Sequence, residues 1–307
     1  MKFHHIPVML NECLNGLNIN PAGTYVDGTA GGAGHSLEIV KRLHTGRLIA
    51  IDKDPTALKT AGQCLLPYPA AVIAGDFCDI PEILDDLEIP AVDGILLDIG
   101  VSSHQLDTTE RGFSYSHDAP LDMRMTCAGF SAKDLLNTYS AGEMARVFRD
   151  YGEEKFARKI AVNICKAREQ KTLETTFELV EIIRSSIPAA ARREGGHPAK
   201  RVFQAIRIEV NGELSALRAT IPGSFERLNH GGRFAIITFH SLEDRIVKRE
   251  FQKLCTGCTC PPDFPVCVCG KTPKARLVNK KPIFASADEI CGNSRSKSAK
   301  LRILERI

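Results

Sequence analysis

No apolar run in this 307-residue chain approaches the ~20 residues that cross a bilayer as a helix. The opening residues, Met1-Lys-Phe-His-His-Ile-Pro7, lack a hydrophobic signal core, so a cytoplasmic protein with no membrane partner is expected. A reducing compartment excludes reading the eleven cysteines as a disulfide framework. Internal repeats and long low-complexity tracts are absent too, which excludes a repeat architecture. What is present is ordinary for a folded protein, with 43% hydrophobic and 25% charged residues. The length allows one large domain, or one domain carrying another inside it.

A glycine-rich turn, Asp27-Gly-Thr-Ala-Gly-Gly-Ala-Gly-His-Ser36, follows the strand-like run Thr24–Asp27 and precedes apolar residues at helical spacing, Leu37, Val40 and Leu43. Such a strand–turn–helix unit cradles a nucleotide-like ligand, because glycines let the backbone approach it and the helix start offers unpaired N–H groups. No Gly-Lys-Ser/Thr closes the turn, which excludes a P-loop. The stretch Gly32-Ala-Gly34-His-Ser-Leu37 lacks a third glycine, which disfavours a dinucleotide. Acidic residues end the first two strands, Asp27 and Asp52. Asp52 is placed to accept hydrogen bonds from ribose hydroxyls, and a phosphate-free cationic cofactor suits two carboxylates. S-adenosylmethionine fits that description.

Strand-like runs at 24–27, 47–52, 71–74 and 94–99 alternate with helical patterns at 35–44, 55–65 and 80–87. Alternation of this kind predicts an α/β fold, a mostly parallel, doubly wound sheet covered on both faces. A fifth strand is expected at 232–239, and the alternating residues 301–307 suggest an edge strand. Between the fourth and fifth strands lie only helical stretches, at 131–138, 141–150, 153–169, 172–186 and 198–218. The expected organisation is a cofactor domain of 1–107 and 213–307, interrupted by a helical insertion of 108–212.

Charge is unevenly spread. Residues 1–98 hold six Lys/Arg against thirteen Asp/Glu, whereas 245–307 hold fourteen against five. The basic end suits a polyanion such as nucleic acid, or else reflects a differently solvated surface.

The fourth strand ends in Asp98, beside the expected reactive centre, with Gly100, Ser102 and Ser103 following. Asp98 can accept a hydrogen bond from an amine; either serine can equally cap a helix. Phe77, after the third strand, suits an adenine face or the core. In 197–211, His197, Arg201, Gln204, Arg207 and Asn211 share one helix face opposite Val202, Phe203, Ile206 and Val210. That polar stripe can bind phosphates and base edges, or simply face water. His240 follows the fifth strand, as a substrate-facing or structural hydrogen-bonding group. The dense loop Cys258, Cys260, Cys267 and Cys269 offers thiolates for a structural zinc ion, with Cys255 left over.

Together the motifs are similar to those of the RsmH (MraW) family, cytosine-N4 methyltransferases of bacterial small-subunit ribosomal RNA. The resemblance spans the chain. Its blocks include His5-Ile-Pro-Val-Met-Leu, the glycine turn, Ala50-Ile-Asp-Lys-Asp, Gly94-Ile-Leu-Leu-Asp-Ile-Gly-Val-Ser-Ser and Glu110-Arg-Gly-Phe-Ser. Pro120-Leu-Asp-Met-Arg-Met, Tyr151-Gly-Glu-Glu, His197-Pro-Ala, Phe203-Gln-Ala-Ile-Arg-Ile and Phe239-His-Ser-Leu-Glu-Asp-Arg complete them.

The resemblance implies a Rossmann-like class I methyltransferase acting on the N4 amine of a decoding-centre (P-site) cytosine in 16S rRNA, its partner being the small ribosomal subunit. It implies S-adenosylmethionine contacts at Ala33, Gly34, His35, Asp52, Phe77, Asp98 and Gln105. The helical insertion would hold RNA through His197, Arg201, Arg207 and Asn211, with His240 assisting. Asp98, Ser102 and Ser103 are the candidate acceptors for the amine's hydrogens, since no Asp/Asn-Pro-Pro-aromatic motif follows the fourth strand. The alternatives are a methyltransferase of another substrate, such as DNA or protein, and an RNA-binding assembly factor with a vestigial cofactor site.

Overall fold

The computed structural model describes residues 7–193, 196–258, 260, 266 and 269–307, with Ser103 and His104 described by backbone alone. The chain divides into two compact units, Met1–Gly100 with Leu214–Ile307, and Val101–Glu213.

The first unit is built on one sheet. Strands β1 (Thr24–Asp27), β2 (Arg47–Asp52), β3 (Ala70–Ala74), β4 (Val92–Asp98) and β5 (Leu228–Thr238) run parallel. Strands β6 (Ala275–Leu277) and β7 (Ile283–Phe284) lie antiparallel to β8 (Lys300–Arg306), itself antiparallel to β5. The order β3-β2-β1-β4-β5-β8-β6 reverses direction between β1 and β4. Ligands of doubly wound sheets bind outside the strand ends at such a reversal, here the ends carrying Asp27 and Asp98.

Side-chain alternation builds a core on each face, because successive strand residues point to opposite sides. Ile49, Ile51, Ile95, Leu97, Phe234, Ile236 and Leu304 join one core, with Ile80, Ile83, Leu84, Ile221, Phe225 and Phe251 from covering helices. Leu48, Ala50, Leu96, Ala235, Ile237 and Ile303 join the other, with Leu14, Leu17, Ile39, Val40 and Leu65. This is the doubly wound, Rossmann-like α/β architecture expected.

The edge position expected for 301–307 is corrected. Strand β8 pairs with β5 and also with β6 and β7, and Leu301–Glu305 are buried without alternation. The short strands that flank it carry too few residues to show a period.

The second unit is helical, with Ala132–Thr138, Ala141–Asp150, Ala157–Gln170, Thr176–Ser186 and Lys200–Asn211 as its longer helices. Reciprocal capping boxes, Ser131 with Asp134, Ser140 with Glu143 and Thr175 with Glu178, set three of their starts. Met144, Val147, Phe148, Ile160, Ile183, Val202 and Ile206 fill its core. Among its described residues the one β pairing is a bridge between Pro120 and Thr175. The single helix expected over 198–218 is instead two, broken where Gly212 turns left-handed at φ 61°. Glycine there satisfies the preceding carbonyls without a Cβ clash.

Candidate functional site

The ends of β1, β2 and β4 are tied together through the glycine turn. Gly28 N donates to Leu96 O at 2.9 Å, and Ala30 N donates to Ile51 O at 2.9 Å. A Cβ on Gly28 would stand 2.5 Å from Leu97 Cδ2 and 3.1 Å from Phe77 Cβ, so glycine lets the turn pass close over β4. Gly31, at φ +49°, donates its N–H to Asp52 Oδ2 at 2.7 Å. Ala33 is left-handed at φ 62° and caps the helix Gly34–Val40. That conformation is strained for a residue with a Cβ.

Asp27 is 1% exposed, its Oδ2 accepting from Ser36 Oγ at 2.6 Å and its Oδ1 from Thr29 N at 3.1 Å. It organises the turn from inside and presents no face to a ligand. Burial raises its carboxyl above the usual range, against the lowering by Ser36 and Thr29. Asp52 accepts from Gly31 N and, at 2.8 Å, from Asp54 N. Each oxygen keeps a lone pair for a hydroxyl. Burial raises this carboxyl as well. Phe77 opens a 3-10 turn with Lys53 Nζ 5.9 Å from its ring centroid, and Lys53 is held by Asp76 at 2.8 Å.

Asp98 is strongly perturbed. Thr29 Oγ1 accepts from its backbone N–H at 2.7 Å, locking β4 to the glycine turn. Its Oδ1 is buried with no hydrogen-bond partner, while Oδ2 lies 3.8 Å from His35 Nδ1. Burial first, then the carboxylates of Asp27 and Glu243, push its pKa up to about 8. His35 Nε2 lies 3.0 Å from Val8 O, a carbonyl that can only accept, so Nε2 carries a proton. In the neutral ring Nδ1 is then an acceptor facing the Asp98 carboxyl. Three acids converge, and among the described residues no Lys or Arg pairs with Asp98. Such a pocket favours a cation with N–H donors.

Other expected residues hydrogen-bond within the protein. Ser102 and Gln105 cap the helix Ser103–Asp107 reciprocally: Ser102 N donates to Gln105 Oε1 at 3.0 Å and Gln105 N donates to Ser102 Oγ at 3.2 Å. Gln105, expected at the cofactor, is 5% exposed with its amide oxygen taken.

In the polar stripe of 197–211, His197 and Arg201 are exposed, while Gln204, Arg207 and Asn211 are half-buried. Arg207 forms a two-pronged ion pair with Glu213 at 2.9 and 2.8 Å. Asn211 accepts from Met125 N and donates to Met123 O and Arg207 O, each at 2.8 Å. Gln204 donates to Tyr151 O at 3.1 Å. These side chains brace neighbouring loops, whereas exposed Arg201 makes one long bond, to Glu153 O at 3.3 Å. His197 stacks on Tyr115 with centroids 4.4 Å apart, beside a cavity of about 340 Å³ lined also by Phe177 and Arg184. Sequence spacing offered no sign of this cavity, because its walls come from three separate segments.

His240 caps the helix Ser241–Cys255, with Nε2 2.9 Å from Glu243 Oε1. Glu243, the other half of this capping box, is fully buried and accepts from Phe239 N at 2.7 Å. Cys258, Cys260 and Cys269 bring their sulfurs within 4.8 Å of one another, while Cys267 lies outside the described residues. No described helix is long and apolar enough to cross a membrane.

The sequence matches the model of the MraW methylase family over residues 2–307. It is 55% identical over 311 residues to a "Ribosomal RNA small subunit methyltransferase H" of Lachnospira eligens, covering 100% of this chain and 99% of that one. A protein of the same name from Ruminiclostridium cellulolyticum is 54% identical over 313 residues, with both chains covered completely. The chain belongs to the MraW methylase family.

Proposed function

We propose that the chain transfers a methyl group from S-adenosylmethionine to the exocyclic N4 amine of a decoding-centre cytosine in 16S rRNA, acting on the small ribosomal subunit in the cytoplasm. The observation that carries the reading is the Asp98 pocket: a buried, unpartnered carboxyl oxygen at the sheet's reversal, in the field of two further acids. The residues fit a cationic, phosphate-free adenosine cofactor. Gly31, Ala33 and Gly34 supply backbone, Asp52 accepts ribose hydroxyls, Phe77 offers an apolar face, and Asp98 with His35 receives N–H donors. The bound cofactor supplies an electrophilic methyl group on a sulfonium.

The protein's own task is set by the acceptor. A cytosine amine is a weak nucleophile because its lone pair is delocalised into the ring. Holding it in line is worth most of what an enzyme can offer such a reaction. Asp98 is proposed to accept one amine hydrogen, which favours the pyramidal nitrogen needed for attack; Ser102 and Ser103 are secondary candidates. The base has to leave any stack to be reached. Arg201 is assigned to the RNA backbone, and the names carried by the relatives favour small-subunit rRNA over DNA. Tritiated methyl transfer to unmethylated small subunits, bare 16S rRNA and DNA tests the assignment. Label confined to DNA, or no cofactor binding by calorimetry at millimolar concentration, would overturn it.

A further inference from the structure

We propose that Cys258, Cys260 and Cys269 hold a structural zinc ion through three thiolates. Zinc–thiolate bonds of about 2.3 Å in a tetrahedron place sulfurs about 3.8 Å apart. The Cys258 and Cys269 sulfurs are 3.7 Å apart, and all three lie within 4.8 Å. That spacing is far longer than a disulfide's ~2.05 Å, and three sulfurs cannot pair off among themselves.

The backbone around the thiols is shaped for the same purpose. Cys260 N donates to Cys258 Sγ at 3.4 Å, the kind of N–H contact that stabilises negative sulfur. Gly270, directly after Cys269, is left-handed at φ +62°, a conformation that favours glycine. Gly257, directly before Cys258, lies against Pro273, where a Cβ would be 2.9 Å from Cδ. Lys274 N donates to Leu254 O at 3.0 Å and closes the base of the same loop. Three thiolates on a divalent ion leave one negative charge, in a stretch, 245–307, with fourteen Lys/Arg against five Asp/Glu. Sulfur-rich tetrahedral donor sets select zinc over the harder magnesium or calcium. The ion would tie Cys258 and Cys260 to Cys269, and it is independent of the methyl-transfer reading.

The test uses the full chain, purified under reducing conditions without chelator. Elemental analysis should find about one zinc per chain. Cys258→Ser and Cys269→Ser should each lose at least about ninety per cent of it, whereas Cys291→Ser should keep it. Cobalt(II) added to the metal-free protein should give intense thiolate-to-metal charge transfer in the near ultraviolet. Should the serine variants misfold, mercurial titration of the unmutated protein should release one zinc in step with loss of thiols. Zinc well below stoichiometry, retention in both variants, or another metal at full occupancy would overturn the proposal.

Discussion

Replacing Asp98 with asparagine separates stability from binding at one atom. Burial and two neighbouring acids hold this carboxyl near 8, about four pH units above an ordinary carboxylate. The folded protein keeps the proton up to about pH 8, while the unfolded chain releases it near 4. Between those values the folded state binds more protons, so stability falls as pH rises through the window and levels off above 8. At about 1.4 kcal/mol per unit the ceiling is roughly 5 kcal/mol. The side chain retains 19% of its surface, so water reduces the burden, and about 2–3 kcal/mol is the expected share.

An amide cannot ionise and can donate to His35 Nδ1. Asp98→Asn should therefore unfold about 5–10 °C later than wild type at pH 8.5, with a smaller gain at pH 5, followed by circular dichroism. Calorimetry should show the opposite for S-adenosylmethionine, which needs the ionised form. Wild-type affinity should rise up to about tenfold per pH unit below 8 and then level, and the variant should bind weakly at every pH. A stability difference that does not change with pH, or a variant with wild-type affinity, would refute the reasoning.

Arg201→Ala should weaken binding to small-subunit RNA and lower the salt dependence by about one ion, leaving cofactor affinity unchanged; filter binding across a salt series measures both. Asn211→Ala should instead destabilise the helical unit by about 2–4 kcal/mol, since it strands the Met125 N–H and the Met123 carbonyl. Denaturant unfolding checks this, and an RNA defect in a variant of unchanged stability would contradict the bracing role. Gly112→Ala should cost more than about 2 kcal/mol, because its Cβ would lie 2.2 Å from Pro120 O at a φ of +68°. A melting temperature equal to wild type would sink that claim.

The sheet was legible because its signals are local. Strands β1, β2 and β4 are short apolar runs ending in acids, and the glycines between Asp27 and Ser36 mark a turn by what they lack. Asp52 and Asp98 could be picked out as strand-end acids for the same reason. Asp27 carries the same signature, yet Ser36 and Thr29 enclose it, a distinction made by hydrogen bonds rather than by spacing. The bracing bonds of Arg207 and Asn211 were not legible, because a polar helix face looks alike toward water and toward neighbouring carbonyls. Gly212 was visible as a residue but not as a break, since the apolar period continues through Leu214 and Leu217. The three cysteine sulfurs were suggested by density along the chain, but their spacing is a property of the fold.

The central claim is tested most directly by nucleoside mass spectrometry of 16S rRNA, taken from small subunits incubated with the purified protein and labelled S-adenosylmethionine. The expected product is one N4-methylcytidine per subunit at the decoding centre, lost with Asp98→Asn. Label on another atom or base, or equal methylation by that variant, would contradict it.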